Sequence, residues 1–128
     1  MCNKMVILIS FPGPRREALL AILRCSLAYE EIFSFADLAE TGAQLKIPDA
    51  ELIILDQGVL DGNQLKLSIP LIRQWNRQAL IVLIVGHPRE IFQEALYRPD
   101  AILCDGFSSA SLAQEMERLK LPRGPLCG

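Results

Sequence analysis

Four short apolar runs, Met5–Ile9, Leu52–Leu55, Leu80–Val85 and Ala101–Cys104, restrict the fold of this chain more than anything else in it. None of them alternates with polar residues. A strand that is apolar at every position has to be covered on both faces, which is the situation of a parallel sheet wrapped by helices. A fifth run, Glu31-Ile32-Phe33-Ser34-Phe35, does alternate and reads as an edge strand.

Helical patterns fill the intervals. Arg15–Ser26 puts Leu19, Ile22 and Leu23 on one face, and Ala36–Lys46 places Leu38 and Leu45 one heptad apart. Arg89–Tyr97 offers Ile91, Phe92, Ala95 and Leu96. The last helix opens at Ser108 or Ser109, good N-cap residues, and stacks Leu112, Met116 and Leu119. Pro70 cannot sit deep in a helix without removing a hydrogen bond. The helix after Leu55 is therefore expected to start near Ser68, with Asp61–Leu67 as a loop; a kinked helix from Gly62 is the alternative. Strand and helix alternate five times, so the expected fold class is α/β, a single doubly wound (βα)5 domain over residues 1–120. The tail, residues 121–128, holds two prolines and two glycines and is expected to be irregular.

At 128 residues the chain suits one domain with a real core. A net charge of -2 with scattered basic residues argues against nucleic acid or an acidic membrane surface as partner. The densest basic cluster, Arg15-Arg16, is too small for a binding stripe. No apolar run approaches the roughly 18–20 residues of a membrane span, and the N-terminal apolar stretch is too short for a secretory signal. Cys2, Cys25, Cys104 and Cys127 lack metal-ligand spacing and are expected as reduced thiols of a cytoplasmic protein, Cys25 and Cys104 inside buried elements.

In an open parallel sheet, function sits at the carboxyl ends of the strands. Those ends are marked here by Ser10-Phe11-Pro12-Gly13-Pro14, Asp56-Gln57-Gly58, Val85-Gly86-His87-Pro88 and Asp105-Gly106-Phe107. The segment from Pro48 through Asp49 and Leu52-Ile53-Ile54-Leu55 to Asp56, followed by Asp61-Gly62, resembles the middle of a response-regulator receiver domain, the CheY-like family of two-component signal transduction. Ile84-Val85-Gly86-His87 falls where receivers end their fourth strand. Leu103-Cys104-Asp105-Gly106-Phe107-Ser108 falls on their Lys-Pro-Phe-Ser segment, with Phe107 and Ser108 kept. The resemblance runs from Val6 to about Leu119 and implies a flavodoxin-like parallel five-stranded sheet in the order 2-1-3-4-5.

Carried over position by position, the resemblance makes Asp56 the phospho-acceptor position and implies that the surrounding chemistry is degenerate. The carboxylate pair that holds Mg²⁺ at the end of strand one matches Ser10 and Phe11. Such an ion needs near-octahedral oxygen ligands, and a phenyl ring supplies none. The hydroxyl residue of strand four matches Val85, or Ile84 after a one-residue shift. The lysine after strand five matches Asp105, and the switch aromatic matches Ile102. The sequence is thus read as a pseudo-receiver, with no cofactor and no catalytic residue expected, and Mg²⁺ only if Asp56 is a working acceptor.

Asp56 and Asp105 lie on strands separated by a third, so their backbones are about 10 Å apart at roughly 4.8 Å per strand. Two short carboxylates would converge only through a loop or an ion, and two solvated carboxylates are the simpler expectation. With no stabilised transition-state charge, Asp56 is expected as a turn-former or remnant. His87 is expected as a loop residue, since no nucleophile or orienting partner is evident. The loop from Phe11 to Arg16 has one glycine and two prolines, so proline entry to a helix explains it better than an anion site. Trp75 is either core or a contact anchor, with core preferred.

The functional expectation is a stand-alone signalling module, not an enzyme, that acts by protein–protein contact independently of phosphorylation. The resemblance places that contact, with a partner or in a homodimer, on the fourth helix, fifth strand and fifth helix, Arg89–Lys120. Arg98, Glu115, Glu117, Arg118 and Lys120 would be its charged rim. The alternatives are a single-domain response regulator phosphorylated at Asp56 and a small ligand-binding domain of flavodoxin-like fold, against which the lack of a glycine-rich loop counts.

Overall fold

The computed structural model describes residues 5–26, 31–37, 50–56, 62–76, 78–86 and 99–119. Five parallel strands, β1 (Met5–Ile9), β2 (Glu31–Phe35), β3 (Ala50–Asp56), β4 (Leu80–Val85) and β5 (Ala101–Cys104), form one sheet in the order β2-β1-β3-β4-β5. The alternating run is indeed an edge strand, and three of the four continuous apolar runs occupy its interior. This is the doubly wound architecture expected from the alternation of elements, with the flavodoxin-like strand order that the resemblance implied.

Because side chains alternate across a strand, each apolar run feeds two cores at once. Ile7, Ile9, Ile53, Leu55, Ile81, Leu83 and Val85 pack on one face with Ile69 and Ile72 of α2 (Gly62–Trp75). Val6, Leu8, Leu52, Ile54, Val82 and Ile84 pack on the other. There they meet Leu19, Leu20 and Leu23 of α1 (Pro14–Ser26) and Leu112 and Met116 of α3 (Ser109–Arg118). Helices α1 and α3 therefore share a face, and because each follows a parallel strand, β1 and β5, their N-termini lie at the same end of the sheet. Trp75 is half-buried against the α2-side core, in line with the core reading.

Helix α2 corrects one expectation. It begins at Gly62, as in the alternative reading and not near Ser68, and carries Pro70 in its interior. Proline in that place costs about 3 kcal/mol relative to alanine. The ring lies on the exposed side of the helix, whereas Ser68, Ile69 and Ile72 are buried, and that burial offsets the lost bond. Ser108 caps α3 as expected, its Oγ accepting from the Ser111 backbone N–H at 3.1 Å. Both cysteines expected inside buried elements are more open than that: Cys25 is exposed on α1 and Cys104 half-buried, and neither is in a disulfide. The expected helices over 36–46 and 89–97 and the tail lie outside the described residues, apart from Ala36 and Asp37, which form a bend. Cys2, Cys127, His87, Arg98 and Lys120 lie outside them too. Among the described residues no helix is long and apolar enough to cross a membrane.

The amino end of the sheet is fastened by two side chains. Asn76 Nδ2 donates to the Ala50 carbonyl at 2.8 Å, and its Oδ1 accepts from the Gln78 and Ala79 N–H groups at 2.9 and 3.1 Å. Asp100 Oδ2 accepts from the Ile81 N–H at 2.8 Å and from Arg73 at 3.2 Å.

Candidate functional site at the carboxyl ends of the strands

Ser10 follows β1, Asp56 ends β3, Val85 ends β4 and Asp105 follows β5. Register places Asp56 level with Ile84, and Val85 level with Cys104. Both Ile84 and Val85 are buried aliphatic residues, so strand four offers no hydroxyl under either alignment. Ile102 packs half-buried against the α2-side core, where it fills space as an aliphatic chain. Phe11 is 52% exposed and gives the site no oxygen ligand.

Ser10 and Asp56 are only 1% and 2% exposed, and the Ser10 hydroxyl donates to Asp56 Oδ2 at 2.9 Å. Asp56 is thus not the solvated carboxylate that was expected. A buried carboxylate needs compensating charge. It comes from Arg15, in the first turn of α1. Arg15 Nε donates to Asp56 Oδ2 at 2.6 Å and Nη2 to Oδ1 at 3.0 Å, a bidentate fork. The same guanidinium donates through Nη1 to Asp105 Oδ2 at 2.6 Å. The two carboxylates do converge through a cation, and that cation is a side chain. The sharing raises the Arg15 pKa further above its ordinary value, chiefly through the hydrogen bond to Asp56 and then that to Asp105.

Local backbone geometry sets up both arms. The Gly13 carbonyl, in a residue at φ 143°, accepts the first helical hydrogen bond from the Glu17 N–H, and Pro14 opens the helix at a position where its missing N–H would have had no intrahelical partner. Arg15 follows directly. Arg16 donates from Nε to the Ser10 carbonyl at 3.0 Å and ties the loop to the end of β1. Across the site, Phe107 N–H donates to the Cys104 carbonyl at 3.1 Å, closing a turn with Asp105 and Gly106 at its centre. Gly106 has φ 85°, as the third residue of a type II turn requires.

Sequence reasoning singled out both carboxylates and missed the residue that joins them. A signal was present: two arginines stand in the first turn of a helix, where the dipole disfavours cations unless acidic partners face them. Among the described residues no three His, Cys, Asp or Glu side chains converge as a metal-binding group.

The fold has clear likenesses among solved structures. A protein of Burkholderia pseudomallei described as pilus assembly-related matches with TM-score 0.73 and 12% identity, over 91% of this chain and 88% of that one. The N-terminal receiver domain of a two-component response regulator from Bacteroides fragilis gives 0.71 at 11%, covering 90% and 94%. Chemotaxis response regulator CheY4 of Vibrio cholerae gives 0.67 at 19%, covering 93% and 99%. No family model matches the sequence, and no curated protein does. At these identities the likeness defines the fold, a CheY-like receiver architecture, and leaves the chemistry to be argued from the site.

Proposed function

We propose that this chain is a receiver-like signalling module, residues 1–120 forming the domain, that works through protein–protein contact with its strand-end site held closed. The observation that carries this reading is the Arg15 fork on Asp56. In receiver chemistry a metal ion and a free cation would neutralise an incoming phosphoryl group. Here one guanidinium already occupies both carboxylate oxygens of Asp56, and a second carboxylate, Asp105, holds it in place. Ser10, Phe11, Val85, Asp105 and Ile102 are read as degenerate site positions, and Asp56 as an acceptor position that is paired instead of phosphorylated. The contact surface is assigned to β5 and α3 with the segment between β4 and β5, where Glu115, Glu117 and Arg118 supply charge, and the module to a cytoplasmic setting.

A second reading, phosphorylation of Asp56 in an altered site, is favoured by the response regulators among the similar structures and by the place of Asp56 at the end of the central strand. The pilus assembly-related structure supports a place in a protein assembly instead. Incubation with acetyl phosphate and Mg²⁺, followed by intact-mass and sedimentation measurements, separates the two. The main reading expects no phosphoryl adduct and an unchanged association state. A stoichiometric adduct lost in Asp56→Asn would replace it with the second.

A further inference from the structure

We propose that Arg15 is a two-armed coupler that transmits the charge state of Asp56 to the turn preceding α3. Strands β3 and β5 are not neighbours, and the residues of β4 between them at this level, Ile84 and Val85, are buried aliphatics that cannot relay charge. Arg15 hydrogen-bonds both carboxylates from one rigid plane, two donors on Asp56 and one on Asp105. A guanidinium cannot move its donors independently. If the fork on Asp56 loosens, Nη1 moves relative to Asp105 as well. The same cation compensates two carboxylates, so neutralising one gives the other a larger share of it.

The receiving end is built to register such a change. Asp105 lies in the turn closed by the Phe107 N–H to Cys104 bond, with Gly106 in the left-handed region. Phe107 then packs against the core shared by α1 and α3, and Ser108 caps α3. A displacement of Asp105 therefore reaches a core aromatic and a helix cap within three residues. Asp105 itself is exposed and can move without opening the core. The coupling needs no metal, and it holds whether or not Asp56 is ever phosphorylated.

The test is a double-mutant comparison of backbone amide shifts. Asp56→Asn removes the inner charge with little change in shape. In the wild-type background it is expected to move the amides of Asp105, Gly106, Phe107 and Ser108. In an Asp105→Asn background, chosen because that side chain is exposed and the change conserves volume, the movement of Phe107 and Ser108 should fall at least about threefold. Arg15→Met gives a second background with the same expectation; should it fail to fold, the Asp105→Asn arm decides alone. Equal movement in the Asp105→Asn background, no movement in the wild type, or a response that runs through Val85 and is undiminished without the Asp105 charge would each overturn the proposal.

Discussion

Arg15 grips both oxygens of Asp56, at 2.6 and 3.0 Å, although Arg15 is 41% exposed at its side chain and Asp56 is nearly enclosed. The pair thus lies between a surface ion pair and a buried one. Exposed pairs contribute about 0–1 kcal/mol, whereas removing one partner of a buried pair costs about 3–5 kcal/mol. Arg15→Met is expected to destabilise the domain by about 2 kcal/mol in urea unfolding, because Asp56 stays buried with less compensation. Asp105→Asn touches an exposed carboxylate and should cost below about 1 kcal/mol. The ordering of the two variants is the checkable result.

The pH dependence follows from the Arg15 pKa, which is raised by its hydrogen bonds to Asp56 and Asp105. A cation with a raised folded-state pKa gives stability that is present below its unfolded pKa and lost as pH rises through the folded one. For arginine that window lies beyond ordinary alkaline conditions, so the clamp should persist throughout them. Arg15→Lys brings the window down, since an unperturbed lysine titrates near about 10.4. Thermal unfolding from neutral to strongly alkaline pH should show an added loss of stability in Arg15→Lys, beginning at about that value, relative to wild type.

Asn76 gives a prediction at the opposite end of the sheet. Its amide satisfies the Ala50 carbonyl and the N–H groups of Gln78 and Ala79, joining the end of α2 to the starts of β3 and β4. Asn76→Ala leaves these backbone groups without their partner in a site only 8% exposed. A loss of about 2–3 kcal/mol is expected from chemical denaturation, with the amides of Ser10, Asp56 and Asp105 at the carboxyl ends of the strands unmoved in the NMR spectrum.

The strands were legible because uninterrupted apolar runs admit few arrangements, and β1, β2, β4 and β5 have the limits that their hydrophobic patterns give. Helix α2 was less so: local proline chemistry argued for a late start near Ser68, whereas the helix runs from Gly62 through Pro70, as the alternative reading had it. Asp56 and Asp105 could be placed at strand ends from order alone. Their junction could not, because two short carboxylates on strands about 10 Å apart do not meet within the sheet. The cation that joins them is a long side chain reaching down from a helix above the sheet. Arg15 reads in one dimension as surface charge, and only the packing of α1 over β1 and β3 turns it toward the acids.

The proposed function requires a closed, metal-independent site at Asp56, and an amide NMR titration tests that directly. The protein would be titrated with Mg²⁺ and then with beryllofluoride in the presence of Mg²⁺. The expected result is no saturable shift at Ser10, Asp56, Val85 or Asp105 in either step, with Arg15 still bound to both carboxylates. Saturable shifts that begin at Asp56 and spread to Val85 and Asp105 would contradict the account and establish a working phosphoryl site.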